Sequence, residues 1–78
     1  MSMKKVLLTG AAGDVGSHLR RELAGRYSLR LSDRKRIAKL GEGEAFALGD
    51  ISLMKDALRI TRGVDAIIHL GGFSHEGP

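Results

Sequence analysis

The chain contains no cysteine, one proline and few aromatic residues, and it has no long apolar run. Without cysteine, neither a disulfide nor a thiolate metal site can form, and no feature points to an oxidising compartment. The longest strongly apolar stretch near the N-terminus is Val6–Leu8, which is too short for a signal peptide or a membrane span. We therefore expect a cytoplasmic protein with no membrane partner.

Basic residues outnumber acidic residues by 13 to 9, which gives a formal net charge of +4 at pH 7. Many basic side chains fall between positions 20 and 36, where a nucleic-acid surface is one interpretation. The other interpretation is a solvated face, or charges close to an anionic cofactor. Because the few aromatic residues offer no stacking platform for single strands, we expect no nucleic-acid partner.

Apolar stretches that end at glycine or aspartate alternate with stretches of helical spacing. The predicted strands cover residues 4–9, 28–32, 45–48 and 64–70, and the predicted helices cover residues 14–26, 34–40 and 52–62. Such alternation is typical of a parallel sheet with helices on both faces, and right-handed crossovers give the strand order 3-2-1-4. The predicted fold class is α/β, a partial Rossmann-type doubly wound sheet formed by residues 1–78 as one domain.

The last predicted helix has both a start and a buried face in the sequence. Ser52 is a suitable N-cap, and Gly63 follows the helix as a stop. The spacing predicts that its buried side consists of Leu53, Ala57, Leu58 and Ile60.

Three glycines, Gly10, Gly13 and Gly16, recur at intervals of three directly after the first predicted strand. A diphosphate needs close backbone approach at such a turn, and the N-terminus of the following helix favours an anion. Gly10 would allow the tight turn, Gly13 the approach to the phosphates, and Gly16 the packing of helix on strand. A generic glycine-rich turn is the alternative, and the position between a strand and an amphipathic helix favours the dinucleotide motif.

Asp33 ends the second predicted strand, where a carboxylate can accept hydrogen bonds from ribose hydroxyls and repel a 2′-phosphate. This residue favours NAD over NADP as the cofactor. Arg34 and Arg36 argue for NADP, since a guanidinium can hold that phosphate. An ordinary turn aspartate is the other interpretation of Asp33.

Two other kinds of site are excluded or disfavoured. A phosphate-loop NTPase requires Gly-Lys-Ser/Thr, and the sequence after Gly16 has no lysine at that place. A metal site is not expected, because no carboxylate or cysteine cluster accompanies His69 and His75 at ligand spacing. His69 lies in an apolar strand and is expected to be a hydrogen-bonded core histidine.

The stretch TGAAGDVG resembles the T-G-x-x-G-x-x-G motif of the extended short-chain dehydrogenases, also called NAD-dependent epimerase/dehydratases. Asp33 matches their ribose-binding acid, Asp50-Ile51 their adenine contacts, and residues 69–72 their H-x-A-A segment beside the cofactor. The resemblance implies cofactor contacts from Gly10, Ala12, Gly13, Asp14, Val15, Gly16, Asp33, Arg34, Asp50, Ile51, Leu70, Gly71 and Gly72. Asp14 departs from the family pattern, since a carboxylate beside a diphosphate weakens binding unless it faces water.

The string HLGGFSHEGP is similar to the uronate dehydrogenases within that family, which oxidise a hexuronic acid at C1 with NAD. This similarity implies that Ser74 contacts a sugar or sugar-acid substrate, with an ordinary polar loop as the alternative. An epimerase/dehydratase acting on nucleotide sugars and a non-catalytic dinucleotide sensor are alternative functions.

The family's catalytic Tyr-x-x-x-Lys has no counterpart in this chain. The single tyrosine is Tyr27, and its fourth following residue is Leu31. We therefore expect that this chain contains no catalytic residue and that the 78-residue chain alone is inactive. The chain is expected to be the amino-terminal piece of a longer protein whose catalytic groups lie beyond Pro78. The apolar fourth strand would be an exposed edge strand, and such an edge favours association with another chain. A homo-oligomer is therefore an alternative to a monomer.

Overall fold

A computed structural model describes residues 3–70 of the chain. Its elements follow in the order β1 (Lys5–Thr9), α1 (Asp14–Leu23), β2 (Ser28–Asp33), β3 (Glu44–Leu48), α2 (Met54–Ile60) and β4 (Ala66–His69). In this part of the chain, four strands form one parallel sheet in the order β3-β2-β1-β4. The predicted Rossmann-type arrangement is therefore confirmed.

Strand β1 lies inside the sheet, between β2 and β4, and both of its faces are covered. Val6 and Leu8 point to one face because side chains alternate along a strand. There they form a buried cluster with β2 and Ala11, against which Leu19 and Leu23 of α1 pack. The short apolar run after Lys5 is thus a central strand, as a continuous apolar pattern predicts.

The opposite face of the sheet carries α2. Leu7 points to that face, and both Leu7 and Ile60 of α2 are fully buried. Arg30, the β2 partner of Leu7, donates hydrogen bonds to the carbonyl oxygens of Ile60 and Arg62 at 2.7 and 2.6 Å. A cation at the C-terminal end of a helix satisfies its last carbonyls and its dipole, so Arg30 fixes α2 to the sheet.

The predicted buried face of α2 is only partly correct. Ile60 is buried and Ala57 is half-buried, but Leu53 and Leu58 are 50% and 63% exposed. The helix also begins at Met54 and not at Ser52, and Leu53 stands at its N-cap without a side-chain hydrogen bond. Ser52 does not cap the helix, because its amide and its hydroxyl both donate hydrogen bonds to Oδ1 of Asp50, at 3.0 and 2.6 Å.

The helix predicted over residues 34–40 is absent, and this segment of the described chain has no regular structure. The carboxylate of Asp33 accepts the amide of Lys35 at 3.0 Å, a local bond that competes with helix formation. Farther along, Ile37 packs against the core cluster and the Arg36 guanidinium stands 5.9 Å from the centre of the Phe46 ring. Tertiary contacts thus override the weak helical pattern.

Helix α1 ends earlier than predicted, at Leu23, because Gly25 adopts a left-handed φ of 81°. Its solvent side is joined to β3 by Arg20, whose Nε and Nη2 donate to the two oxygens of Glu44 at 3.0 and 2.7 Å. The Glu44 side chain is only 8% exposed. Neither helix in residues 3–70 is long and apolar enough to cross a membrane.

Candidate functional site

A cleft of about 550 Å³ opens at the carboxyl ends of the strands. Open α/β sheets bind ligands at this edge, where the strand order reverses, and the volume falls in the range of small-molecule sites. The residues that line it are Thr9, Gly10, Ala12, Gly13, Ser32, Asp33, Arg34, Lys35, Gly49, Asp50, Ile51, Ser52 and His69.

The cleft brings together seven of the predicted cofactor residues. These are Gly10, Ala12, Gly13, Asp33, Arg34, Asp50 and Ile51. Four others, Asp14, Val15, Gly16 and Leu70, are not among its lining residues. Gly71, Gly72 and Ser74 lie outside the described residues.

The loop between β1 and α1 is held against the end of β2. Gly10 has a φ of 70°, a left-handed conformation that glycine adopts without the steric cost of a Cβ. The amide of Ala11 then donates to the carbonyl oxygen of Ser32 at 3.1 Å, and the amide of Ala12 donates to Oδ2 of Asp33 at 2.9 Å. The glycine loop is therefore fixed by β2 from one side.

Gly13 and Gly16 are glycines for different reasons. A Cβ on Gly16 would stand 2.4 Å from the carbonyl oxygen of Ala11, so the fold itself forbids a side chain there. The contact is with Ala11, two residues after the end of β1, so the missing side chain lets α1 approach the loop that follows the strand. A Cβ on Gly13 would meet only the carbonyl oxygen of Gly10, at 4.0 Å. At Gly13 the protein leaves open space beside the cleft.

The N-terminus of α1 is open to an anion. Gly13 is the N-cap and makes no side-chain hydrogen bond, so no side chain satisfies the first free amides of the helix. Those amides and the positive end of the helix dipole favour a phosphate. Asp14 is the first helical residue and is exposed. Its carboxylate also benefits from the helix dipole but lies outside the cleft lining.

Charged residues of both signs surround the end of β2. Asp33 is half-buried, and each oxygen of its carboxylate accepts a hydrogen bond from one backbone amide. A carboxylate has about four acceptor positions, which leaves capacity for ligand hydroxyls. Arg34 and Lys35 line the same cleft and are exposed. The end of β2 thus offers both an acceptor and two cations.

Asp50 supplies a second carboxylate in the cleft, after β3. The hydroxyl and the amide of Ser52 donate to it and hold its pKa below the ordinary value. Its own amide donates to Oδ2 of Asp56 at 2.9 Å, and that bond lowers the pKa of Asp56. Asp50 is therefore ionised at neutral pH and fixed in orientation.

The environment of His69 differs from the predicted one. It is hydrogen-bonded, as predicted, through Nδ1 to the Thr9 hydroxyl, but it is exposed and lines the cleft instead of the core. In the described chain β4 is the edge strand of the sheet, which leaves one side of the strand uncovered. No group of three or more metal-ligating side chains occurs among residues 3–70.

Six lining residues were not among the predicted cofactor contacts, although His69 falls in the segment 69–72 that the resemblance places beside the cofactor. They are Thr9, Ser32, Lys35, Gly49, Ser52 and His69. Most stand at or just after the carboxyl end of a strand, so the strand-end rule for parallel sheets would have identified them.

The chain matches the model of the NAD dependent epimerase/dehydratase family over residues 6–77. It is 47% identical to the uronate dehydrogenase of Pseudomonas syringae pv. tomato in an alignment 78 positions long that covers 95% of this chain and 28% of that protein. It is 43% identical to the uronate dehydrogenase of Pseudomonas putida over 74 residues, with 28% of that protein covered. The chain therefore spans less than a third of the length of these relatives.

Solved structures agree with this similarity. A mutant uronate dehydrogenase from Agrobacterium tumefaciens, complexed with NAD, superimposes with a TM-score of 0.86 at 37% identity over 99% of this chain and 29% of that one. A glucuronic acid dehydrogenase from Chromohalobacter salexigens superimposes with a TM-score of 0.85 at 35% identity, over 97% of this chain and 29% of that one.

Proposed function

Because this chain belongs to the NAD-dependent epimerase/dehydratase family, we propose that it is the dinucleotide-binding part of an NAD-dependent oxidoreductase. The observation that carries the proposal is the bare backbone at Gly13, where a Cβ would find open space beside the cleft. The fold has no steric need for glycine there, whereas a diphosphate on the amides of α1 needs that space.

Each part of the cleft has a proposed partner on the cofactor. The amides around Gly13 hold the diphosphate, and Asp33 accepts hydrogen bonds from the adenosine ribose. Asp50 and Ile51, after β3, flank the adenine. The remaining cofactor contacts proposed from the family are Ala12, Asp14, Val15, Gly16, Arg34, Leu70, Gly71 and Gly72.

The proposed cofactor is NAD and not NADP. Asp33 repels a 2′-phosphate, and two backbone amides fix its carboxylate in the cleft. Arg34 and Lys35 attract that phosphate but are exposed, so solvent and salt screen them more strongly than the half-buried carboxylate.

The proposed substrate of the whole protein is a hexuronic acid, oxidised at C1 to the aldarolactone. The support is the similarity to uronate dehydrogenases, at 47% and 43% identity. When bound, NAD would supply the hydride acceptor for C1, and the proton of the C1 hydroxyl would pass to a base elsewhere in the whole protein or to water. The residues of this chain would hold and orient the cofactor. Ser74 is proposed to contact the substrate.

Calorimetric titration with NAD tests the cofactor assignment. The Gly13→Ala variant should bind about tenfold more weakly than the unaltered protein, since its methyl group would occupy the space of the diphosphate. Gly41→Ala is a matched control, because a Cβ there meets only the Glu44 side chain, at ordinary distances of 3.5 Å from Oε1 and 3.7 Å from Cδ. Equal NAD affinity in Gly13→Ala and the unaltered protein would contradict a diphosphate at this loop.

Absorbance of NADH tests the substrate assignment in the whole protein. We expect reduction of NAD with glucuronic acid and none with glucose, which lacks the carboxylate. The 78-residue chain should be inactive with both sugars. NAD binding without turnover of any uronic acid by the whole protein would favour an epimerase/dehydratase or a dinucleotide sensor instead.

A further inference from the structure

His69 and Thr9 form a pair across β1 and β4 at the cleft. They are register partners at the carboxyl ends of these two strands, and the Thr9 hydroxyl is hydrogen-bonded to Nδ1 of His69. Thr9 is only 1% exposed, whereas His69 is exposed and lines the cleft. One partner is thus buried in the sheet, and the other faces the ligand space.

The burial of Thr9 decides the direction of this hydrogen bond. In residues 3–70, the Thr9 hydroxyl has no recorded partner other than His69. A buried hydroxyl proton without an acceptor is costly, so the hydroxyl donates and Nδ1 accepts. In a neutral imidazole the proton then resides on Nε2. Thr9 therefore makes His69 a donor at its other ring nitrogen, which has no recorded partner within residues 3–70.

The strand order locates His69 relative to the rest of the cleft. Asp33 ends β2, the glycine loop follows β1, and His69 ends β4, on the far side of β1 from Asp33. Neighbouring strands are about 4.8 Å apart, so Asp33 and His69 lie about 10 Å apart with the loop between them. A ligand with two nucleosides joined by a diphosphate spans this arrangement.

We propose that His69, oriented by Thr9, donates a hydrogen bond from Nε2–H to the ribose of the second nucleoside of the dinucleotide. The inference rests on the proposed function, because it places the adenosine at Asp33 and the diphosphate at the glycine loop. The second ribose then lies beyond β1, next to β4. His69 is a positioning residue that holds the reactive half of the cofactor.

Calorimetric titration with ADP, ADP-ribose and NAD tests this assignment, because only the last two contain the second ribose. His69→Phe should weaken ADP-ribose and NAD about fivefold to tenfold, the effect of one neutral hydrogen bond, and leave ADP within about twofold. His69→Gln, whose amide nitrogen lies near the place of Nε2, should restore part of the affinity. An equal loss of ADP affinity in His69→Phe would overturn the proposal, as would a loss confined to NAD.

The Thr9 variants test how the ring is oriented. Thr9→Val removes the hydroxyl at constant shape and should weaken ADP-ribose but not ADP, whereas Thr9→Ser should retain binding. Nitrogen-15 NMR should show the Nε2–H tautomer for His69 in the unaltered protein and a tautomer mixture in Thr9→Val. An Nδ1–H tautomer in the unaltered protein would overturn the proposal. Failure of the unaltered protein to bind even ADP would instead refute the proposed function.

Discussion

The carboxylate of Asp33 accepts a hydrogen bond from the amide of Ala12, in the middle of the glycine loop, at 2.9 Å. Its other oxygen accepts the amide of Lys35 at 3.0 Å. The residue proposed to select the ribose therefore also fixes the loop proposed to hold the diphosphate. Because the loop is ordered before the ligand arrives, less conformational entropy is lost on binding.

Removing this carboxylate should release the loop. In Asp33→Ala we expect hydrogen exchange of the Ala12 amide to accelerate by about tenfold or more, since a hydrogen bond to a charged group contributes about 1.5–3 kcal/mol. The measurement is amide exchange by NMR without ligand. Asp50→Ala is the control, because that carboxylate lines the same cleft and its recorded bonds are to Ser52. Unchanged Ala12 exchange in Asp33→Ala would show that the loop is ordered by other contacts.

Gly16, in the glycine loop, and Gly41, before β3, should differ in how strongly an added methyl group destabilises the fold. Gly16→Ala places a Cβ 2.4–2.7 Å from the backbone of Ala11, and a backbone group cannot move aside as a flexible side chain can. We expect the free energy of unfolding to fall by about 1–3 kcal/mol, measured by urea denaturation. Gly41→Ala, where the contact is ordinary, should differ from the unaltered protein by less than about 0.5 kcal/mol. Equal stability of the two variants would contradict the close packing at Gly16.

The ion pair between Arg20 and Glu44 should make stability depend on pH. The hydrogen bond from Arg20, followed by the amide of Gly41, outweighs desolvation and lowers the pKa of Glu44. A carboxyl whose pKa is depressed by folding stabilises the native state above its unfolded pKa, about 4.3, and loses this contribution as the pH falls through the folded pKa. The bidentate geometry favours a contribution of about 1–2 kcal/mol at neutral pH.

Glu44→Gln tests this dependence by urea denaturation between pH 7 and pH 3. The unaltered protein should be more stable at pH 7, and the difference should shrink below about pH 4. Glu42→Gln is the control, since Glu42 is exposed and has no recorded hydrogen bond within residues 3–70. A stability difference between Glu44→Gln and the unaltered protein that stays constant down to pH 3 would mean that it does not arise from the charge.

The parts of the fold that the sequence predicted correctly are those where local pattern and tertiary role agree. Val6–Leu8 form an apolar run and become a buried central strand. Gly10 precedes a helical pattern and adopts the left-handed turn that brings the chain to α1. Right-handed crossover then leaves one strand order to consider, and that order places Asp33 beside the glycine loop.

The parts that were missed depend on an aspartate just before the predicted element or on tertiary contacts, neither of which the apolar spacing contains. Asp50 accepts the amide and hydroxyl of Ser52, so the residue with the best capping propensity does not cap. Segment 34–40 has a helical composition, but Asp33 binds its first turn and Ile37 packs against the core. The exposure of His69 follows from its place at the carboxyl end of β4, where it lines the cleft, and an apolar strand pattern does not reveal this.

Asp14 offers a case in which stability and binding should change in opposite directions. Its carboxylate lies in the first turn of α1, where a negative charge stabilises a helix by about 0.3–1 kcal/mol. The same charge repels a diphosphate at that terminus, by ~1–3 kcal/mol for unit charges 6 Å apart at surface-like dielectric. Asp14→Asn should therefore unfold more easily and yet bind NAD as tightly or more tightly.

Calorimetric titration of Asp14→Asn at two salt concentrations separates these effects. Because Asp14 is exposed, salt screens its repulsion, and any gain in NAD affinity should decline between 0.05 and 0.5 M salt, as the Debye length falls below about 10 Å. Glu22→Gln is the matched control, an exposed acid near the other end of α1. Clearly weaker NAD binding by Asp14→Asn would mean that the carboxylate contributes to the loop geometry, and the diphosphate would then have to lie elsewhere than on the amides of α1.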